Sequence, residues 1–268
     1  MLVATYNVHR CRGLNPAGPF RPDRILGVVA EIQPDLIALQ EAQHYLRPGA
    51  PMLDAEAIER ATGLRPLRLP GVARRPGDHQ GWRGNVVLVR RDAAVLRPPV
   101  GLRLGGLEPR GAVLAELDLG WGPFRLLAAH LSLGPERRRL QAEMLLDAME
   151  TGAGSRLPTL LLGDLNERGP GGAALGVLAA AFGEPPRAPT FPSFRPMLSL
   201  DRIMGRPRAL VPQVEAHDTP LARRASDHLP LKARLDTAVL ARAEAPGGLG
   251  ARRPETGTGR CGKGSARH

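Results

Sequence analysis

Residues 159–166 read TLLLGDLN, an apolar run that ends in an acidic and an amide side chain. The same arrangement occurs at residues 2–8 (LVATYNV), which end around Asn7, and at residues 35–41 (DLIALQE), which end in Glu41. Short apolar runs of this kind predict buried strands. A carboxylate at the end of a buried strand is costly to desolvate unless it is paired or bound to a metal. These strand ends therefore predict a shared site.

Other predicted strands also carry acidic or imidazole side chains at or near their ends. His130 lies near the end of one, Asp201 lies within another, and Asp227 and His228 directly precede the last. Each of these residues, taken alone, also fits a structural role as a helix cap, a turn residue or a buried residue whose hydrogen bonds are satisfied. Several strand ends meeting at one edge of packed sheets are a common way to build a site, so the set favours function over these separate explanations.

The pattern of apolar runs predicts a single α/β domain. The predicted strands are residues 2–8, 35–40, 85–90, 110–119, 124–133, 159–162, 198–204, 210–214 and 229–235, and the predicted helices are residues 21–33, 54–62, 135–150 and 173–182. Helix 135–150 is predicted to bury Leu140, Met144, Leu145 and Met149, and residues 65–84 are predicted to form a surface loop. Many strands with interleaved helices indicate two layers of sheet covered by helices.

The composition is that of a globular protein. The chain has 268 residues, 43% of them apolar, without a run of about 18 apolar residues that would cross a bilayer. The first residues show no secretory signal, so we expect a cytoplasmic protein. Cys11 and Cys261 are the only cysteines, which excludes a disulfide framework or a cysteine-built metal site.

The formal net charge of +11 is almost entirely due to arginine. Lys232 and Lys263 are the only lysines among 37 basic residues, so a codon bias of the source explains the charge as well as an anionic partner does. A basic protein still attracts polyanions. Residues 1–236 are predicted to form the folded domain, and the Gly- and Arg-rich residues 237–268 are predicted to be a disordered tail.

The polar groups at the strand ends are of types that suit phosphoester hydrolysis. Carboxylate and amide oxygens favour a hard cation such as Mg²⁺ or Mn²⁺, whereas zinc would normally require more histidine or cysteine. Histidines suit proton transfer and contact with phosphate. A divalent ion with an activated water and imidazole donors is typical of phosphoester hydrolysis.

The ordered set of motifs resembles the endonuclease/exonuclease/phosphatase superfamily. The motifs are TYNVH at 5–9, LQE at 39–41, GN at 84–85, PRG at 109–111, AHLSL at 129–133, GDLN at 163–166, LDRI at 200–203 and SDHLPL at 226–231. They extend over residues 2–235 and look most like compact bacterial metal-dependent hydrolases. The resemblance implies a four-layer α/β sandwich of two packed mixed β-sheets flanked by helices.

The resemblance also implies the residues that bind the metal and the water. Glu41 would be the principal Mg²⁺ ligand, with Asn7 beside it, directly or through water. Asp227 would be a further carboxylate on the metal side. Asp164 would orient or deprotonate the attacking water, and Asn166 would hold the phosphate or the oxygens bound to the metal.

The remaining roles that the resemblance implies concern the phosphate. His228 would contact the scissile phosphate and would be oriented by Asp201. His130 would be a second imidazole at the phosphate and a candidate acid for the leaving oxygen. Asn85 and Arg110 would line the site and contact the substrate.

The sequence leaves the substrate open among nucleic acids, phospholipids and inositol phosphates. Apurinic endonucleases carry a tyrosine where His130 falls, so the histidine is more similar to the lipid, inositol and general nuclease branches. Only 3% of residues are aromatic, which gives no support to base-specific recognition. We expect a monomer without a membrane span or a stable protein partner. Two alternatives are a catalytically inactive member that binds nucleic acid or anionic lipid, and an arginine-rich DNA compactor that needs no metal.

Overall fold

The computed structural model describes residues 1–44, 51–70, 81–106, 108, 110–169 and 171–242. Within these ranges the strands are β1 (Leu2–Asn7), β2 (Leu36–Gln40), β3 (Leu64–Pro66), β4 (Val86–Arg90), β5 (Ala94–Gly105), β6 (Arg110–Asp118), β7 (Pro123–His130), β8 (Thr159–Asp164), β9 (Asp201–Arg206), β10 (Glu215–Ala216) and β11 (Leu231–Arg234). The helices are α1 (Pro22–Ile32), α2 (Ala55–Thr62), α3 (Pro135–Glu150), α4 (Ala173–Phe182), α5 (Ala222–Ala225) and α6 (Thr237–Ala241). None of these helices has both the length and the apolar character that a membrane crossing requires.

Two mixed sheets form the centre of the fold. One has the strand order β10-β11-β1-β2-β4-β3 and the other has the order β5-β6-β7-β8-β9. Each sheet contains one parallel pair, β1 with β2 and β7 with β8, among antiparallel neighbours. Helices α1 and α2 contribute to an apolar cluster with the first sheet, and α3 and α4 contribute to one with the second. This confirms the predicted four-layer sandwich.

The alternation of side chains along β1 shows why the central strands are mostly apolar. Val3 belongs to the cluster between the two sheets, whereas Ala4 and Tyr6 belong to the cluster under the helices. Strand β2 is divided in the same way, with Leu36 facing one cluster and Ile37 facing the other. A strand covered on both faces holds a polar side chain in its interior only where that side chain has a partner, as Thr5 has in Gln40. Most of the predicted functional groups lie at the strand ends, where the cavity opens.

The structure corrects the predicted strands in three places. Strand β5 is absent from the sequence prediction because Pro98 and Pro99 and its mostly exposed side chains remove the expected pattern. The strand predicted at 210–214 is wrong, since the chain forms a short 3-10 turn at Arg208–Leu210 instead. Strand β3 occupies the beginning of the predicted loop, and residues 71–80 of that loop lie outside the described residues.

Two further predictions change in the helices. Leu140 and Met144 were predicted to be buried but are 50% and 42% exposed, because α3 turns its Arg138 and Gln141 side inward together with Leu145 and Met149. Helix α6 lies within the predicted tail, and its Leu240 is fully buried between the sheets. The folded domain thus extends past residue 236, and the disorder predicted for residues 243–268 lies outside the described residues.

Candidate active site

Strand register brings the predicted polar residues to one edge of the sandwich. His130 pairs with Asp164 across β7 and β8, and Asp164 pairs with Asp201 across β8 and β9. In the other sheet, Asn7 ends β1 and pairs with the residue directly before Glu41. The side-chain amide of Asn7 donates to Asp164 Oδ2 at 2.9 Å, so the two rows of strand ends meet.

These strand ends line one cavity of about 670 Å³. Eight of the predicted site residues lie in its wall, namely Asn7, Glu41, Arg110, His130, Asp164, Asn166, Asp227 and His228. Asp201 lies directly behind His228 and is fully buried. The sheet edge therefore assembles nine of the ten predicted residues into one place.

Asp201 and His228 form a buried carboxylate–imidazole pair. His228 Nδ1 lies 2.9 Å from Asp201 Oδ2, and the Thr190 hydroxyl donates to the same oxygen at 2.6 Å. Burial opposes a charge on the imidazole, but the charges of Asp201 and Asp164 outweigh it and raise the pKa of His228 to about 10. His228 is therefore protonated at neutral pH and donates through Nδ1 to Asp201.

His130, in contrast to His228, is neutral. Arg110 Nη1 lies 2.9 Å from His130 Nδ1, and because a guanidinium can only donate, this nitrogen accepts and the single ring proton sits on Nε2. Burial lowers the pKa of His130 to about 3, although the charge of Asp164 acts against this. Arg110 lowers this pKa further, and its Nη2 forms an ion pair with Glu108 at 2.8 Å. His130 is thus a neutral hydrogen-bond donor.

The two imidazoles flank the carboxylate of Asp164. His130 Nε2 lies 3.5 Å and His228 Nε2 lies 3.8 Å from Asp164 Oδ2. Asp164 Oδ1 accepts the backbone N–H of Asn166 at 2.9 Å, which orients the carboxylate, and the Asn166 amide donates to the Leu131 carbonyl at 2.9 Å. This arrangement places two buried imidazoles beside one oriented carboxylate.

Glu41 and Asp227 form the second acidic part of the cavity. Burial raises the pKa of Asp227, and the charge of Glu41 raises it further, although His228 and His9 act in the opposite direction. Glu41 Oε2 is buried and accepts no hydrogen bond from the described residues, with Arg10 Nη1 3.5 Å away. The backbone φ of Glu41 is +54°, a conformation that costs a non-glycine residue about 1–3 kcal/mol. Strain and an oxygen without a hydrogen-bond donor are consistent with a ligand position.

A second group of side chains also has the spacing of a metal site. Ligand atoms of Asp164, Asp201 and His228 all lie within 4.8 Å of one another. Their hydrogen bonds favour a different role, because His228 Nδ1 is directed at Asp201 and the Asn7 amide already donates to Asp164. Within this group only Asp201 and His228 share a hydrogen bond, since His228 Nε2 lies 3.8 Å from Asp164 Oδ2.

Asn85 is the predicted site residue that the structure places elsewhere. It is fully buried and is absent from the cavity wall formed by the described residues. Its amide donates to the carbonyl oxygens of Gly111 at 2.9 Å and Trp82 at 3.3 Å. The prediction that Asn85 lines the site is thus corrected, since its side chain joins the turn before β4 to the beginning of β6, next to Arg110.

The cavity wall also contains residues that the sequence analysis missed. They are Arg10, Glu108, Leu133, Arg138, Glu167, Arg168, Phe191, Leu198 and Leu200. Arg138 and Glu167 form a buried ion pair at 3.2 Å, and Glu167 also accepts the N–H of Ala174 at the beginning of α4. Glu167 and Arg168 directly follow the GDLN motif, and this position beside the motif is the sequence feature that could have identified them as cavity residues.

Solved structures of several enzymes share this fold. A mannosyl-6-phosphatase from Bacteroides thetaiotaomicron has 19% identity and a TM-score of 0.64, covering 88% of this chain and 99% of that one. The catalytic domain of human nocturnin with bound sulfate has 18% identity and a TM-score of 0.60, covering 88% and 93%. TDP2 from D. rerio, complexed with a single-strand DNA product, has 17% identity and a TM-score of 0.58, covering 87% and 97%. At these identities the likeness shows the fold.

The family assignment comes from the sequence. No curated protein sequence matches the chain. The sequence profile described as "Endonuclease/Exonuclease/phosphatase family" matches residues 4–228. The fold and the matched sequence define an enzyme of the class that hydrolyses phosphoester bonds. The chain belongs to the endonuclease/exonuclease/phosphatase family.

Proposed function

We propose that the chain is a phosphodiesterase of the nuclease or phospholipase C type that uses Mg²⁺ or Mn²⁺. The observation that carries the proposal is one cavity in which Glu41, Asp164 and Asp227 lie together with two buried imidazoles, those of His130 and His228. A phosphodiester needs a nucleophilic water, neutralisation of its charge and hydrogen-bond donors for its oxygens. The cavity contains groups for each of these tasks.

The metal position is on the side of Glu41. Glu41, Asp227 and Asn7 would hold the ion, and all three offer the oxygen ligands that Mg²⁺ and Mn²⁺ prefer. Glu41 Oε2 is buried and accepts no hydrogen bond from the described residues, although Arg10 Nη1 lies 3.5 Å away, and burial raises the pKa of Asp227. A divalent ion supplies positive charge that polarises a phosphoryl oxygen.

Asp164 is the group that acts on the attacking water. Its two oxygens are fixed by the Asn7 amide and the Asn166 backbone N–H, so the carboxylate keeps one orientation. A carboxylate held in this way accepts a hydrogen bond from the water and takes its proton as the water attacks phosphorus. The bond from phosphorus to the leaving oxygen breaks, and the leaving group departs as an alkoxide or phenolate that takes its proton from solvent. Asn166 would then hold the phosphate oxygens, the role that the family resemblance implies.

The two imidazoles hold the phosphate. His228 presents Nε2 to the cavity while Asp201 fixes its other nitrogen. His130 presents its Nε2–H because Arg110 fixes Nδ1 as an acceptor. A neutral imidazole of low pKa is a good hydrogen-bond donor but a poor proton donor, so we assign His130 to a phosphoryl oxygen instead of the leaving-group oxygen.

Hydrolysis of bis-p-nitrophenyl phosphate tests this proposal. We expect turnover with Mg²⁺ or Mn²⁺, loss of turnover in EDTA, and loss of at least about a hundredfold in E41Q and H228Q. The matched control is E56Q, because Glu56 is an 86% exposed residue of α2. Turnover that survives in EDTA or in E41Q would overturn the assigned site. A panel of DNA, RNA, phospholipids and inositol phosphates under the same conditions then identifies the substrate.

A further inference from the structure

The three most exposed large apolar side chains of the described residues lie on the cavity wall or on a loop whose ends line the cavity. Leu133 is 74% exposed and lines the cavity. Phe194 and Met197 are 61% and 62% exposed and lie on the loop 191–198, whose two end residues line the same cavity. We refer to Leu133, Phe194 and Met197 as the cavity rim.

The rim loop is held in place by hydrogen bonds. The backbones of its end residues Phe191 and Leu198 pair at 3.0 and 2.8 Å. The Ser193 N–H donates to the Asp227 carbonyl at 2.7 Å, and its hydroxyl donates to the Ser226 carbonyl at 2.6 Å. An ordered loop that holds large apolar side chains in water is unfavourable unless a partner covers them, so the rim indicates an interaction surface.

The charge around the rim favours an anionic partner. Residues 185–200 contain Arg187 and Arg195 but no aspartate or glutamate. Arg195 is exposed beside Phe194, and Arg168 is exposed on the cavity wall. Neither guanidinium forms an ion pair within the part of the chain that the structure describes. The rim therefore has two exposed guanidinium groups, Arg195 and Arg168, near its apolar side chains.

We propose that the cavity rim docks onto an anionic phospholipid bilayer. Phe194, Met197 and Leu133 enter the boundary between head groups and acyl chains, and Arg195 and Arg168 contact lipid phosphates. Two of the three rim residues are aliphatic, which suits acyl chains better than nucleic-acid bases, since bases bind by stacking on aromatic rings. The inference rests on the proposed function and deepens it, because it names a phospholipid as the phosphoester presented to the site.

The position of the loop links docking to the active site. Its base is hydrogen-bonded to the backbone of Ser226 and Asp227, directly before His228. Phe191, at the same base, packs against the His228 ring with 4.9 Å between the centroids. A lipid that contacts the rim thus lies next to the group assigned to the phosphate, so its phosphodiester can reach His228 without leaving the surface.

Co-sedimentation of the full chain with vesicles tests the docking surface. The vesicles are phosphatidylcholine alone and phosphatidylcholine with phosphatidylglycerol. We expect the wild type to partition onto the anionic vesicles and F194S/M197S to bind at least about tenfold more weakly, because each side chain of this size contributes about that factor when buried. The matched control is V95S/L96S, whose residues are 42% and 41% exposed on β5 at the end remote from Arg110. It should bind within about twofold of the wild type.

Two further measurements separate the possible outcomes. Turnover of bis-p-nitrophenyl phosphate should be equal in F194S/M197S and the wild type, which shows that fold and site are intact. If the wild type showed no turnover at all, the proposed function would be contradicted. Vesicle binding would then still test the docking surface by itself. Equal vesicle binding by the wild type and F194S/M197S would overturn the docking surface alone. The docking surface would also be overturned if F194S/M197S lost affinity for a single-stranded oligonucleotide but kept its affinity for vesicles.

Discussion

Replacing Asp201 by asparagine should reduce kcat about 10- to 150-fold with little change in KM. Asp201 Oδ2 lies 2.9 Å from His228 Nδ1 and is fully buried, so no solvent replaces the lost charge. A hydrogen bond to a charged group contributes about 1.5–3 kcal/mol, and 1.36 kcal/mol corresponds to a tenfold change in rate. The effect on kcat follows because the bond stabilises the imidazolium while it holds the phosphate in the transition state.

The assay for D201N is steady-state turnover of bis-p-nitrophenyl phosphate, together with NMR titration of the histidine ring in metal-free protein. In the wild type the His228 ring should stay protonated up to a pH of about 10. In D201N its pKa should fall, because burial is then opposed only by the charges of Asp164 and Asp227. The matched control is D218N, since Asp218 forms its ion pair with Arg223 at the surface. A kcat of D201N within twofold of the wild type, or an unchanged His228 pKa, would refute the reasoning.

Three other predictions concern stability and reactivity. The pKa of His228 is raised from an unfolded value of about 6.5 to about 10, so its contribution to the stability of metal-free protein should be complete below pH 6.5 and lost as the pH rises towards 10. Urea unfolding of wild type and H228Q across this range checks it, and equal pH dependence would contradict it. Leu240→Ala should lower the free energy of unfolding by about 2–5 kcal/mol, because the side chain is fully buried. An unchanged urea midpoint would show that α6 is not part of the domain. Burial raises the pKa of Cys11 to about 12, so in a C261S variant the thiol should react with Ellman's reagent only after unfolding. Rapid reaction of the native variant would contradict this.

Much of the site could be predicted because the sandwich buries both faces of its central strands. Polar side chains such as Asn7 and Asp164 then occur where an apolar run ends, and this is visible in sequence. The turn at Gly122 and Pro123 predicts that β6 pairs with β7, and the structure confirms it. The contact between the Arg110 side chain and His130 Nδ1 was not visible, because no local pattern reports which side chains meet across the two strands.

The misses have similar physical causes. Strand β5 lies at a sheet edge, where exposure and two prolines are tolerated, so its pattern resembles a loop. Leu140 and Met144 have helical spacing, but α3 buries Arg138, whose charge is satisfied by Glu167. The ion pair depends on a residue 29 positions later in the sequence. Composition and periodicity carry no information about such a partner.

Calorimetric titration of Mn²⁺ into metal-free protein distinguishes the two candidate metal positions. We expect the wild type to bind the ion, E41Q and D227N to bind it at least about tenfold more weakly because each loses a charged oxygen ligand, and the surface control E56Q to be unchanged. Unchanged binding in both E41Q and D227N, with loss of binding in D201N, would contradict this expectation. That result would place the metal in the group formed by Asp164, Asp201 and His228 instead.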